Sequence, residues 1–156
     1  MLEGAQHLQN IHPLVIHFPI GLLMGATLFY FAAWVFKKDD LAKTGFWVLL
    51  LGALSLAVAV GTGLYAEQGV MVHLSVRDKI LSPHKNVMIA TAVLCAIATL
   101  WALIQKPFPK KGRILFLLLL LAMVGAMTLG ADFGGRLVYD YNAGGNACPQ
   151  PIKFKL

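Results

Sequence analysis

The chain has 156 residues, 58% of them hydrophobic and 13% charged, and a formal net charge of +6. A soluble domain carries about a quarter charged residues, so with a mean hydropathy of +0.72 this composition excludes an ordinary water-soluble domain and indicates an all-α integral membrane protein. The surplus Lys and Arg sit in short connections between apolar stretches, where topology signals belong, which argues against nucleic acid as a partner.

The first stretch, His12-Pro13-Leu14-Val15-Ile16-His17-Phe18-Pro19-Ile20-Gly21, places two histidines and two prolines at the mouth of a long apolar segment. From Ala5 to Phe36 there is no Asp, Glu, Lys or Arg. A polar ring nitrogen in such a segment costs free energy unless it is satisfied, so intramembrane histidines are functional-site candidates. No basic n-region or small-residue cleavage site precedes the stretch, and the first span is expected to serve as its own insertion signal.

A span needs roughly 20 apolar residues to cross about 30 Å of hydrocarbon. Four segments qualify, at about 13–36, 44–66, 84–105 and 114–135. They show no period-two alternation, so helices are expected and a barrel is not. The fold class that follows is a four-helix bundle running up-down-up-down, a transmembrane domain over 1–141 with an extended outer tail over 142–156. The connections Lys37–Lys43 and Lys106–Arg113 are short and basic. By the positive-inside rule they face the cytoplasm, which puts both termini on the periplasmic side of a bacterial inner membrane.

The longer connection, Gly69 to Pro83, mixes Val70, Val72, Val76, Ile80 and Leu81 with His73, Arg77 and Lys79. This pattern predicts a short amphipathic helix on the outer interface between spans two and three. Ser82-Pro83-His84 then reads as an N-cap followed by a first-turn proline. Pro19 either kinks the first span or marks where regular helix begins. In span four, Gly125, Gly130 and Gly134 allow a neighbouring backbone or a planar group to approach closely. Asp132 and Arg136, four apart, are expected to pair on one face.

All five histidines, His7, His12, His17, His73 and His84, fall on the outer side of this plan. Helices one and three sit diagonally in such a bundle, so His17 and His84 would enter its core from opposite sides. Paired imidazoles are what a b-type haem needs for its two axial positions. Gly130 and Gly134 could make room for the ring, while Lys85 and Arg136, with Arg77, could meet its propionates. His12 and His73 form a second possible pair, for another haem; taken singly, each is an interfacial residue. No Cys-x-x-Cys-His is present, so covalent c-type attachment is excluded, and Cys95 and Cys148 imply no disulfide framework. A zinc centre is disfavoured because no two histidines stand at i, i+4 and few carboxylates lie nearby.

The residues leave two main readings open. One is a haem b electron-transfer subunit within a larger membrane redox complex, passing electrons between quinone or another membrane centre and a periplasmic carrier such as a cytochrome. The other is a cofactor-free structural or anchoring subunit. A small transporter ranks third, since so few ionisable groups are buried.

The His-Pro-x-x-x-His-Phe-Pro start at His12–Pro19 resembles the bacterial transmembrane family known as domain of unknown function 2231. So do the four spans, the histidine at the third span and the Gly-rich close Gly134-Gly135-Arg136-Leu137-Val138-Tyr139-Asp140-Tyr141. The resemblance covers nearly the whole chain. Some relatives carry fused Rieske or cytochrome c-type domains, which implies membrane electron transfer. Carried over residue by residue, it singles out His12, His17, His84, Gly134 and Tyr139. The tail departs from the pattern at Tyr141-Asn142-Ala143-Gly144, where relatives tend to have a Tyr-Gly pair.

Overall fold

The computed structural model describes residues 11–70 and 72–143. His7, and the expected tail from residue 144 onward, lie outside the described residues. Within them the chain is helical, with no strand. Four helical runs are long and apolar enough to cross a membrane: His12–Phe36, Asp39–Glu67, Leu74–Ile104 and Arg113–Tyr139.

The first run is broken once. Helix α1 (His12–Val15) ends at Ile16, and α2 (His17–Phe36) begins directly after it. Pro19 explains the break. It has no N–H to bond the carbonyl four residues back, and its ring crowds that carbonyl. Pro13 sits in the first turn of α1, where its missing N–H costs nothing. Lys37, in the left-handed region at φ 54°, ends α2 and turns the chain into α3 (Asp39–Glu67). Asp39 and Asp40 in the first turn of α3 complement the positive end of its dipole.

The stretch expected to be a separate interfacial helix is instead continuous with the third span. One turn, α4 (Leu74–Val76), leads into a π-helical stretch at Arg77–Leu81 and then into α5 (Ser82–Ile104). Pro83 offers no N–H, and just before it the ladder widens, with Ser82 N–H bonding the Arg77 carbonyl. Ser82 is therefore an internal helical residue rather than an N-cap. Ile80 and Leu81 from this stretch are buried with Leu137 of the last helix, α6 (Arg113–Tyr139).

Each spanning helix packs on two neighbours: α2 on α3 and α6, and α5 on α3 and α6. The diagonals α2/α5 and α3/α6 make no close backbone approach. Lipid is as apolar as the helix surfaces, so close packing rather than water exclusion holds such helices together. Small residues supply it: Ala26, Ala33, Ala42, Ala59, Ala98 and Ala102 are buried. Gly45 lies against the Tyr30 ring, and Gly52 against Leu23. The buried hydroxyls of Thr27 and Thr91 each donate to the carbonyl one turn back.

The end carrying the basic connections is filled by aromatics. Tyr30 is fully buried, with ring centroids 5.1 Å from Phe108 and 5.0 Å from Phe116, and Trp101 packs on Phe116 at 5.8 Å. The Tyr30 hydroxyl donates to the Pro107 carbonyl at 3.0 Å, and the Arg113 guanidinium lies over the Phe108 ring at 4.7 Å. The opposite end, which carries the histidines, is hollow.

Candidate functional site

The hollow is a cavity of about 150 Å³, partly open and walled by α1, α2, α3, α5 and α6 and by the chain around Val70 and Leu81. Its walls are mainly Ile, Leu, Val, Ala, Met and Pro; the exceptions in charge or polarity are His12, Glu67, His84 and Lys85. It is at the histidine end of the bundle, and the two diagonal helical runs each place one imidazole in its wall.

His84 is held from one side by α6. Its Nδ1 lies 2.8 Å from the Gly130 carbonyl. A carbonyl only accepts, so Nδ1 carries the proton and the lone pair is on Nε2. The ring lies over Gly134, where a Cβ would stand 3.0 Å from His84 Cε1. The glycine leaves the ring this space, and a side chain there would press on the imidazole.

His12 is held in the same way by α3. Its Nδ1 is 3.1 Å from Thr62 Oγ1, and Thr62 gives its own hydroxyl proton to the Ala59 carbonyl. The hydroxyl is then an acceptor toward the ring, so His12 also carries its proton on Nδ1. The Ala59 backbone lies within reach of the same ring, and His12 and His84 are within electrostatic reach of one another. Beneath the His12 ring is Gly63, whose Cβ would stand 2.9 Å from His12 Cε1.

A charged cluster stands at the rim. Lys85 Nζ donates to Glu67 Oε1 at 2.7 Å, and Arg77 approaches the same oxygen at 3.7 Å. Glu67 is largely buried, with a side chain 19% exposed. It ties the end of α3 to the π-helical stretch and to α5.

The residues singled out in the sequence divide into two groups. His84, Lys85 and Gly134 line the cavity, and Gly130 reaches it through the bond of its carbonyl to His84. His17 does not join them: it is exposed, on the same outward face as Leu14 and Phe18. His12 stands in its place opposite His84. Gly130 and Gly134 do not leave open room beside a ligand, since Met88 fills the space over Gly130 and the His84 ring that over Gly134. His73 stays apart from the cavity, capping the α4 turn and bonding Ser75. Arg136 pairs with Asp140 at 3.6 Å rather than with the expected Asp132. Sequence reasoning overlooked Thr62, the Ala59 carbonyl, the part played by Gly63 and the ion pairs of Glu67.

Among the described residues no three of His, Cys, Asp and Glu are grouped for a metal ion. Two imidazoles in the wall of an apolar cavity, each with Nδ1 held by a neighbouring helix, are what the site offers. A family model described as a predicted membrane protein, DUF2231, matches residues 8–147. No curated protein and no solved structure matches the chain.

Proposed function

The chain belongs to the DUF2231 family of predicted membrane proteins, and we propose that it is a membrane electron-transfer subunit that holds haem b between His12 and His84. One observation carries this reading: two imidazoles from diagonal helical runs line one apolar cavity, each with Nδ1 tied to the neighbouring helix. Metal-binding histidines characteristically donate their second ring nitrogen to such a partner, which fixes the tautomer and the direction of the ligating lone pair. A bare metal ion would be short of donors here. A porphyrin supplies four nitrogens of its own and needs only the axial pair.

The remaining residues fit the same group. The walls are apolar, and Lys85 and Arg77 outnumber Glu67 at the rim, leaving positive charge for propionates. The cavity's 150 Å³ is smaller than a porphyrin, so the ring would extend through the open side or part the two helical hairpins. When bound, haem iron supplies one-electron exchange. The chain's part is to aim both imidazoles, exclude water with the Ile, Leu and Met walls, and set the charge at the rim. By the positive-inside rule the histidine end faces the periplasm of a bacterial inner membrane. There the site would exchange electrons with quinone or another membrane redox centre and with a periplasmic cytochrome.

The test is a reduced-minus-oxidised visible spectrum and a pyridine haemochrome assay on detergent-purified protein from haem-replete cells. The expected result is a b-type signal whose six-coordinate form is lost in both His12→Ala and His84→Ala while the protein still inserts. A wild-type chain without haem refutes the reading and leaves the cofactor-free anchoring subunit.

A further inference from the structure

The two histidine clamps are alike in more than kind. His12 lies over Gly63, near the carbonyl four residues before that glycine; His84 lies over Gly134 and bonds the carbonyl four residues before it. The glycines and the carbonyl residues, Gly63/Gly134 and Ala59/Gly130, are both offset by 71 positions, and the histidines by 72.

The same offsets run through the packing. On α2 and α5 the buried positions correspond as Pro19/Thr91, Leu23/Cys95, Ala26/Ala98 and Tyr30/Ala102, every pair 72 apart. These four account for all the buried residues of α5. On α3 and α6 the buried pairs Leu49/Leu120, Leu56/Met127 and Ala59/Gly130 are 71 apart. The offset falls by one across the intervening turn. A helix has one phase relative to its core, and a slip of one residue rotates it by about 100°. Coincident burial along both helices, in register with both clamps, therefore marks one repeated structure.

We infer that the chain is a tandem repeat of a helical hairpin, and that its cavity is a single site on the pseudo-two-fold axis between the repeats, binding one ligand per chain through two equivalent imidazoles. The ligand then presents two like ends or faces, as an iron porphyrin does along its axial direction. His12 is committed to this site, so a second site built from His12 and His73 is not formed. The symmetry is independent of haem; the identity of the ligand rests on the function proposed above.

The experiment titrates haemin into the detergent-solubilised full chain and into its His12→Ala and His84→Ala variants. Saturation is expected at one haemin per chain, with a six-coordinate spectrum. Losing an outer partner of a metal-binding histidine costs about ten- to a hundredfold in affinity, so both variants are expected to lose more than about tenfold and to give the same five-coordinate spectrum. Saturation at two haemins, or a six-coordinate spectrum surviving in either variant, overturns the inference. Absence of haemin binding in the wild type refutes the haem reading alone. The repeat is then judged by nitrogen-15 chemical shifts of the imidazoles in ligand-free protein. Protons on Nδ1 of both His12 and His84 support it, and opposite tautomers overturn it.

Discussion

Gly63→Ala separates the aim of the site from the stability of the bundle. The added methyl would stand 2.9 Å from His12 Cε1 and 3.3 Å from each ring nitrogen. Optimal carbon contacts lie near 3.5–4.0 Å, so the ring must retreat by roughly half an ångström, straining its 3.1 Å bond to Thr62. Overpacking of this kind costs about 1–3 kcal/mol. Alanine in place of glycine inside a helix returns about 1 kcal/mol, so the net loss of global stability is expected to lie between nothing and about 2 kcal/mol. The aim of the imidazole has no such compensation. At 1.4 kcal/mol per factor of ten, the strain weakens haemin binding by about 5- to 150-fold. The assay is a haemin titration at the Soret band, with thermal unfolding of the same samples. Gly61→Ala is the control on the same helix, because a Cβ there meets nothing within 4 Å. Unchanged affinity in Gly63→Ala, or an equal loss in Gly61→Ala, would refute the reasoning.

Other substitutions test the remaining parts. His17→Ala removes an exposed ring and is expected to leave the haem spectrum of the purified protein unchanged. Tyr30→Phe removes the hydrogen bond to the Pro107 carbonyl and should cost about 0.5–1.5 kcal/mol, read as a lower thermal midpoint in detergent with haemin affinity intact. Glu67→Gln weakens ion pairs that are partly exposed, so its stability cost should stay within about 1 kcal/mol per pair. Its clearer signature is faster hydrogen exchange over residues 74–81, measured by mass spectrometry.

The four spans were legible because a bilayer demands long apolar helices, and no other pattern in the chain competes with that demand. His84 was legible for the same reason: it opens the third span directly after a proline. His17 was not correctly placed, and helix geometry explains it. His12, Ile16 and Pro19/Ile20 recur at helical spacing and face the cavity together. His17, five residues after His12, is rotated about 140° from it at 100° per residue. The motif's two histidines therefore point to different surroundings, and the string of letters does not say which faces inward. The repeat was hidden because a bundle core constrains burial and volume rather than identity. Tyr30 and Ala102 occupy matching positions with very different side chains, and Leu56 and Met127 share only size and apolarity. The interfacial helix was half legible: its amphipathic composition was visible, but Pro83 turned a separate helix into a widened continuation of α5.

The aromatic packing around Tyr30 gives the bundle the mechanics of tweezers. The two hairpins are the arms, and Tyr30, Phe108, Phe116 and Trp101 form the joint at one end. The imidazoles are the tips at the other. Helices of 20 residues and more separate the joint from the tips, so a small angular change at the joint would translate into a larger change in the spacing of the imidazoles. For the haem proposed above, such a pivot would open the way in, and the Glu67–Lys85 pair is the contact that joins the two arms near the tips.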